Sequence, residues 1–251
     1  MTKNINRVVG GRLGRKNGLN NEIACIKNMI KNRTKLMNFF GFKEECDNVF
    51  FRVGEQDTIK EKWAKEYINK FSKPKDNKRA ADIVMLINTG DGVKSIGFDT
   101  KLKKTTDPQW FLKSPKILSK YKNVYEKGYT YYNRYSEYNT KKQRLYKEDQ
   151  HTKRQLFKYF KQVVKDGAIQ RFDNNKLYHC DYIMSMGNSE FKFVKVCEVI
   201  KKYIKFDEFN MVKTNYKCGP ITFKPHGSSN RNIQVKLHKK VFQDIGKVLK
   251  M

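Results

Sequence analysis

The chain has 251 residues and carries 54 Lys and Arg against 25 Asp and Glu, a formal net charge of +29. A charge of this size favours a polyanionic partner, most simply nucleic acid. The 38% hydrophobic content argues against disorder, and the length allows a sizeable core in one large or two small domains. No apolar run approaches the roughly 20 residues that span a bilayer, and no signal-peptide core opens the sequence. We therefore expect a cytoplasmic protein without a membrane partner.

The cysteines and histidines exclude several kinds of site. Five cysteines are scattered along the chain without a C-x-x-C spacing, and the four histidines are far apart. This pattern argues against a zinc site and predicts reduced thiols. It also argues against nucleases with a His-based metal motif and against a Ser-His-Asp hydrolase.

Residues 1–19 are basic and rich in glycine. No apolar strand precedes their Gly-Gly-x-x-Gly run, so they do not form a dinucleotide-binding loop. We expect a flexible arm in which Arg12, Arg15 and Lys16 contact DNA phosphates or reach into a groove. The alternative is a disordered leader with no role in binding.

An amphipathic helix is expected after this arm, with Asn20 or Asn21 as its N-cap. Glu22 lies in the first turn, close to the apolar stripe of this helix rather than on its opposite face. Two interpretations stay open. Glu22 complements the helix dipole, or it is a third carboxylate that serves a site formed by Asp82 and Asp99.

Between residues 42 and 80 the pattern is mixed. Residues 49–53 predict a short strand, and residues 57–71 predict an amphipathic helix with Trp63 facing inward. Residues 72–79 predict a basic loop that leads into the next element.

Residues 81–104 predict a β-hairpin, because two apolar, β-branched runs flank a turn rich in Gly and Asn. Asp82 opens the first strand. Asp99 and Lys101 lie two residues apart near the end of the second strand, so their side chains leave the same face. Folding the hairpin brings Asp82 opposite Phe98 or Asp99. Two carboxylates and one ammonium are therefore expected at one edge of a sheet.

These residue types suit a metal ion that acts on a phosphodiester. Mg²⁺ is usually bound by one or two carboxylates together with phosphate oxygens of the substrate. We expect Asp82 and Asp99 to bind Mg²⁺ and Lys101 to orient the attacking water and offset negative charge. The alternative is an ordinary core hairpin whose polar residues are solvated at its ends.

Lys103 and Lys104 follow the hairpin and are expected to contact DNA phosphates. Residues 105–121 begin with a helix-start sequence and continue with apolar residues such as Trp110 at broadly helical spacing, which predicts a helix interrupted at Pro115. Between residues 121 and 146, eight tyrosines alternate with Lys, Arg and Asn. This composition suits a surface that touches nucleic acid, although tyrosine-rich helices that simply pack are as common.

The last part of the chain predicts, in order, a helix over 152–165, a strand over 176–186, a helix over 193–204 and strands over 221–224 and 233–238. The loop that joins the last two strands is rich in side chains able to pair with base edges. A ribbon of this kind can enter a major groove, and the alternative is a polar hairpin loop. The ribbon residues expected at DNA are His226, Ser228, Ser229, Asn230, Arg231, Asn232 and Gln234.

The spacing of Asp82 and Asp99-Thr100-Lys101, with sixteen residues between them, resembles the PD-(D/E)xK nuclease motif. Ala81 stands in place of the usual proline. Taken with segments 16–22, 110–121 and 221–230, the chain resembles the small type II restriction endonucleases of the MspI-like group. The resemblance implies an α/β fold with a central mixed β-sheet flanked by helices, and Mg²⁺-dependent cleavage of both strands at a short palindrome.

The resemblance matches Asp82, Asp99 and Lys101 to the catalytic triplet and Glu22 to the helix-borne acid of the family. Relatives often carry an amide where Asp99 stands, which leaves the number of metal ions open. We expect one nuclease domain over the whole chain, composed of a basic arm (1–19), a catalytic core (20–104), a helical Tyr- and Lys-rich part (105–170) and a part with the DNA-reading ribbon (171–251).

The predicted function is therefore a sequence-specific endonuclease for double-stranded DNA. A PD-(D/E)xK nuclease for junction resolution or repair is an alternative, as is a non-catalytic nucleic-acid-binding protein. The resemblance implies a cognate DNA methyltransferase in the same cell, and a monomer and a homodimer are both compatible with the sequence.

Overall fold

A computed structural model describes residues 2–71, 81–101, 109–112, 131, 150–164, 176–212, 215–226 and 232–251. The description covers the backbone alone for residues 2–15, 109–112, 163, 176, 224–226 and 232–234. The chain divides into two compact units: unit 1 comprises residues 1–105, 175–193 and 247–251, and unit 2 comprises residues 106–174 and 194–246. The fold is mixed α/β, with a six-stranded sheet and a five-stranded sheet.

The helices and strands follow one another in this order: α1 (Thr2–Lys31), α2 (Arg33–Phe39), β1 (Asp47–Arg52), α3 (Lys62–Ile68), β2 (Ile83–Thr89), β3 (Gly92–Lys101), β4 (Gln109–Leu112), α4 (Gln150–Val164), β5 (Tyr182–Met186), β6 (Glu190–Lys195), α5 (Val196–Tyr203), β7 (Phe209–Val212), β8 (Asn215–Cys218), β9 (Ile221–His226), β10 (Asn232–Leu237), α6 (Lys240–Asp244) and β11 (Lys247–Lys250). Short 3₁₀ turns occupy Gln56–Thr58 and Lys176–Tyr178. No helix in the described ranges is both long and apolar enough to cross a bilayer.

The sheet of unit 1 has the strand order β1-β2-β3-β5-β6-β11. It is mixed, because β3 and β5 run parallel whereas β1 pairs with β2, β2 with β3, and β6 with β11 antiparallel. Strand β2 is apolar along almost its whole length because both of its faces are covered. Ile83, Met85 and Ile87 pack with buried residues of α1 and α2. Val84 and Leu86 point to the other face and pack with residues of β1 and α3.

The sheet of unit 2 has the strand order β4-β10-β9-β8-β7, and its described pairings are antiparallel. Aromatic side chains join it to α4. Phe160 of α4 stacks on Phe223 of β9 with ring centroids 5.1 Å apart. Phe209 and Tyr216, on neighbouring strands, stack at 4.6 Å. Ring pairs in this distance range add to the stability given by apolar burial.

The structure confirms several local predictions. The β2–β3 hairpin, helix α4 and the antiparallel β9–β10 pair lie where the sequence pattern placed them. The strand predicted over 49–53 is β1, shifted by two residues at its start. The predictions over 57–71 and 176–186 are right only in part, because each segment begins with a 3₁₀ turn before α3 or β5.

The predictions of a flexible arm and of an N-cap at Asn20 or Asn21 are wrong. Helix α1 begins at Thr2, so the backbone of residues 2–19 is helical and both asparagines lie inside the helix. Glycine in a helix costs only about 1 kcal/mol relative to alanine. Burial of Cys25 and Met29 against the sheet anchors the same helix further along. An anchored helix can therefore extend through residues of poor propensity.

Two predicted helices contain strands instead. Residues 109–112 form β4, in which Trp110 lies opposite Val235 of β10. Phe193, expected on a helix, belongs to β6, and the helix that follows buries Val196, Val199 and Tyr203 rather than Cys197. In both cases pairing with a distant strand overrides the local spacing of apolar residues.

The remaining predictions lie outside the described residues. They are the basic loop at 72–79, the tyrosine-rich segment apart from Tyr131, and the end of the helix predicted over 105–121.

Candidate active site

The hairpin register places Asp82 beside the end of β3. Ile83 pairs with Phe98, and the Asp82 amide donates a hydrogen bond to the Phe98 carbonyl at 2.8 Å. The Asp82 carboxylate oxygen Oδ2 accepts a hydrogen bond from the Thr100 amide at 2.9 Å, and it lies 3.3 Å from the Thr100 hydroxyl. The carboxylate is therefore held toward the last residues of β3.

Asp99 and Lys101 flank Thr100 and leave β3 on the same face, as the alternation of a strand requires. The Lys101 ammonium donates a hydrogen bond to Asp99 Oδ1. The Asp99 side chain is only 8% exposed and that of Lys101 19% exposed. This ion pair is thus largely removed from water. A charge buried in this way is costly unless an opposite charge compensates it.

Burial is the main reason why the pKa of Asp99 is raised to about 7. The Lys101 charge acts in the opposite direction, and the neighbouring Asp82 carboxylate raises the Asp99 pKa further. Burial favours the neutral amine of Lys101, yet the charges of Asp99 and Asp82 raise its pKa overall. Lys101 is therefore a cation at neutral pH, and its charge offsets only part of the effect of burial on Asp99.

These residues fit a divalent cation. Asp82 and Asp99 are close enough for their charges and hydrogen bonding to raise the pKa of Asp99. In the described part of the chain no group of three or more His, Cys, Asp or Glu side chains gathers around one point. Asp82 and Asp99 could hold Mg²⁺, because this ion needs only one or two protein carboxylates when waters and substrate phosphate oxygens complete its shell.

Glu22 lies beside a cation of β1. Its carboxylate lies 3.7 Å from the guanidinium of Arg52 in β1, and only 15% of the Glu22 side chain is exposed. The same guanidinium contacts Glu55. Burial and the charges of both Asp82 and Glu22 raise the pKa of the Cys25 thiol to about 12. Cys25 is therefore near both carboxylates, and Arg52 holds that of Glu22.

Sequence reasoning missed two residues that support this site, Gly97 and Arg52. A Cβ atom at Gly97 would lie 1.7 Å from the His179 carbonyl oxygen. The Gly97 amide donates to the Asp181 carboxylate at 2.8 Å, and the Asp181 amide donates to the Gly97 carbonyl at 2.9 Å. A glycine inside a strand often marks such a close approach of two backbones, so the signal was present. Arg52 gave no comparable signal, because its partners come from distant segments.

The residues expected at DNA are distributed over both units. Arg12 and Arg15 lie on α1, and Lys16 on the same helix is exposed. His226 ends β9 and pairs with Asn232 of β10, two residues before Gln234. The other expected contacts are outside the described residues: Lys103, Lys104, Ser228, Ser229, Asn230 and Arg231.

No protein-family profile matches this chain, and no curated protein matches it. Its function therefore has to be inferred from the geometry around Asp82, Asp99 and Lys101.

Proposed function

We propose that this protein is a Mg²⁺-dependent endonuclease that hydrolyses DNA phosphodiester bonds. The observation that carries the proposal is the buried Asp99–Lys101 ion pair beside Asp82 at the end of the β2–β3 hairpin. The mixed six-stranded sheet is compatible with a PD-(D/E)xK nuclease fold. The net charge of +29 supports a polyanionic substrate.

Each side chain has a distinct part in the proposed chemistry. Asp82 and Asp99 would hold the ion, with Asp82 fixed in place by the Thr100 amide. When bound, Mg²⁺ supplies a bound water of lowered pKa and positive charge next to the phosphate. Lys101 carries its proton at neutral pH because the adjacent carboxylates raise its pKa. It therefore acts as a cation that orients water and offsets charge on phosphate oxygens, rather than as a general base.

Cleavage at a specific site is the finer part of the proposal. The resemblance to type II restriction endonucleases implies duplex DNA with a short palindrome as the substrate and a protecting methyltransferase in the same cell. Strands β9 and β10 form an antiparallel ribbon with Asn232 and Gln234 on one strand and His226 on the other. Amide side chains of this kind can pair with adenine in the major groove.

A junction-resolving or repair nuclease would use the same carboxylates and differ in its substrate. Such an enzyme would cut branched or damaged DNA with little sequence preference. A non-catalytic nucleic-acid-binding protein is supported by the net charge alone, and it would not need a buried carboxylate beside a buried ammonium.

The test is a digest of unmethylated plasmid and phage DNA by the purified protein, with Mg²⁺ and with EDTA. We expect discrete bands that need Mg²⁺, and sequencing of the fragment ends would give the site. Lys101→Ala should reduce the cleavage rate by about a thousandfold, within the range known for groups that stabilise transition-state charge. Lys94→Ala is the matched control, because Lys94 lies on the same strand and forms a β-pair with Ile87, away from the acidic residues.

The same preparations separate the alternatives. Asp82→Ala should keep or increase DNA binding in EDTA and lose cleavage, because the carboxylate repels phosphate when no metal is present. Cutting confined to branched substrates would favour the junction-resolving or repair enzyme. DNA that is retarded on a gel but never cut with any divalent metal would contradict the catalytic proposal.

A further inference from the structure

Unit 2 contains a cavity of about 540 Å³ that the nuclease proposal does not use. Three stretches of the chain contribute to its wall: the end of α5 with the residues after it, the turn from β8 into β9, and α6 with the residues before it. Most of the charged side chains that line it are basic. They are Lys202, Lys205, Lys217 and Lys240, and His238 adds an imidazole.

Two carboxylates, those of Asp244 and Glu208, also line the wall, and they are fewer than the four ammonium groups. Asp244 already accepts hydrogen bonds from the Lys202 ammonium at 2.7 Å and from the Tyr203 hydroxyl. These two bonds lower the pKa of Asp244 and keep it ionised, so it is satisfied within the wall. Among the described side chains, Lys205 and Lys217 form no ion pair. The cavity therefore has an excess of ammonium groups over free carboxylates.

The neutral groups of the wall also present donors. The His238 Nδ1 atom accepts a hydrogen bond from the Lys240 amide at 3.2 Å. With Nδ1 as an acceptor, Nε2 is the imidazole nitrogen that can donate a hydrogen bond. Thr222 adds a hydroxyl. The turn has no side chain at Gly219, whose φ is +50° and where a Cβ would lie 2.7 Å from a Glu208 oxygen.

The cavity lies at the start of β9, at the end of the strand away from the residue that leads into the predicted DNA-reading loop. Strand β9 runs from Ile221, beside the cavity, to His226. Five strand steps at about 3.4 Å each separate these two residues by about 17 Å.

We propose that this cavity is a binding site for a phosphate group. Phosphate offers only acceptors and negative charge, which matches a wall of ammonium, imidazole and hydroxyl donors. The phosphate is carried either by a nucleic-acid backbone or end, or by a small phosphorylated molecule. The proposal is independent of the nuclease activity, because every residue it uses is in unit 2.

Titration calorimetry with pyrophosphate, in EDTA and at constant ionic strength, tests the proposal on the full-length protein. We expect saturable binding to the wild type, and binding at least about tenfold weaker to Lys217→Glu and Lys205→Glu, as expected for loss of a charged hydrogen bond. Lys158→Glu is the matched control, because it makes the same charge change at an exposed position of α4 outside the cavity. Lys217→Gln repeats the test without a charge reversal, in case the reversal impairs folding.

A second arm identifies the source of the phosphate by anisotropy of labelled duplex DNA in EDTA. Weaker DNA binding by Lys217→Glu than by Lys158→Glu, together with competition by pyrophosphate, assigns the site to nucleic acid. Equal DNA binding by the two variants assigns it to a small phosphorylated molecule. The proposal is overturned if pyrophosphate does not bind the wild type saturably, or if it binds the folded Lys217→Gln and Lys158→Glu proteins equally well.

Discussion

The two charged regions of this molecule, the acidic site of unit 1 and the basic cavity of unit 2, are constructed differently. In unit 1 the charges of Asp99 and Lys101 are largely buried, and both residues lie on one central strand. In unit 2 the side chains of Lys202 and Lys205 extend from the end of α5 or just after it, that of Lys240 extends from α6, and all three are exposed. The acidic site is therefore formed within a sheet, whereas the basic cavity is lined by long lysine side chains.

This difference has consequences for energy and for chemistry. A buried carboxylate costs free energy unless a cation or proton compensates it, so its protonation and metal binding are coupled to stability. Exposed lysines are screened by water and salt, so a single ammonium contributes little to folding. We therefore expect the acidic site to respond strongly to changes in the fold, and the basic cavity to respond mainly in binding.

The largest expected effect comes from a Cβ introduced behind the acidic site. Gly97→Ala should destabilise the protein by about 3 kcal/mol or more. The added carbon would lie 1.7 Å from a backbone oxygen of His179, so the segment that precedes β5 would have to move away from β3. Urea unfolding measures the loss. Gly90→Ala is the control, because a Cβ at Gly90 meets no atom within 4 Å. Equal stability of the two variants would contradict the close approach.

The pH dependence of stability should reveal the buried carboxylate. Burial raises the pKa of Asp99 from 3.8 to about 7, so in this range the folded protein binds a proton that the unfolded chain has released. The free energy of unfolding should therefore fall as pH rises from about 4 to about 7, with a slope of at most about 1.4 kcal/mol per pH unit.

Asp99→Asn isolates this contribution, because it removes the titrating group and keeps the shape of the side chain. Urea unfolding in EDTA should show a shallower dependence on pH for the variant than for the wild type. Saturating Mg²⁺ should reduce the wild-type slope, because the ion binds the ionised carboxylate. Parallel pH profiles for the two proteins would show that Asp99 titrates normally.

A smaller effect is expected at the Glu22–Arg52 pair. The two side chains are 15% and 19% exposed, so their interaction is only partly screened. A double-mutant cycle with Glu22→Gln and Arg52→Met should give a coupling energy of about 1 kcal/mol. The control cycle pairs Arg52→Met with Glu66→Gln on α3, and it should be additive.

The same Glu22→Gln variant decides whether Glu22 also serves the acidic site. We expect its Mg²⁺ affinity to stay within about twofold of the wild type, because Arg52 holds the carboxylate in the structure. A loss of about tenfold or more would instead assign Glu22 to the metal as an auxiliary acid.

An effect of similar size, and far smaller than that of Gly97→Ala, is expected at the turn beside the basic cavity. Gly219→Ala should cost about 1 kcal/mol, because a φ of +50° is unfavourable for alanine. The new Cβ would meet the end of the Glu208 side chain rather than backbone, and that side chain can rotate away. Glu208→Ala should therefore recover only a small part of the loss. A loss as large as that of Gly97→Ala would contradict the contrast between the two regions.

Part of this molecule could be predicted from local patterns. The β2–β3 hairpin has two apolar runs around a short turn, and helix α4 has a clear apolar face, so neighbours in sequence decide their structure. For the same reason Asp82, Asp99 and Lys101 could be grouped before the fold was known. They belong to one hairpin, and its register follows from the position of the turn.

Strand β4, the arginine that holds Glu22 and the glycine behind the acidic site were decided by tertiary structure. Trp110 becomes part of a strand by pairing with β10, more than a hundred residues later. Arg52 reaches Glu22 from another element, and Gly97 is required by the backbone at His179. The sequence thus determined the charged groups and their local spacing. Burial, which sets the pKa of Asp99, and the gathering of lysines around one cavity depend on contacts between distant segments, which only the folded chain creates.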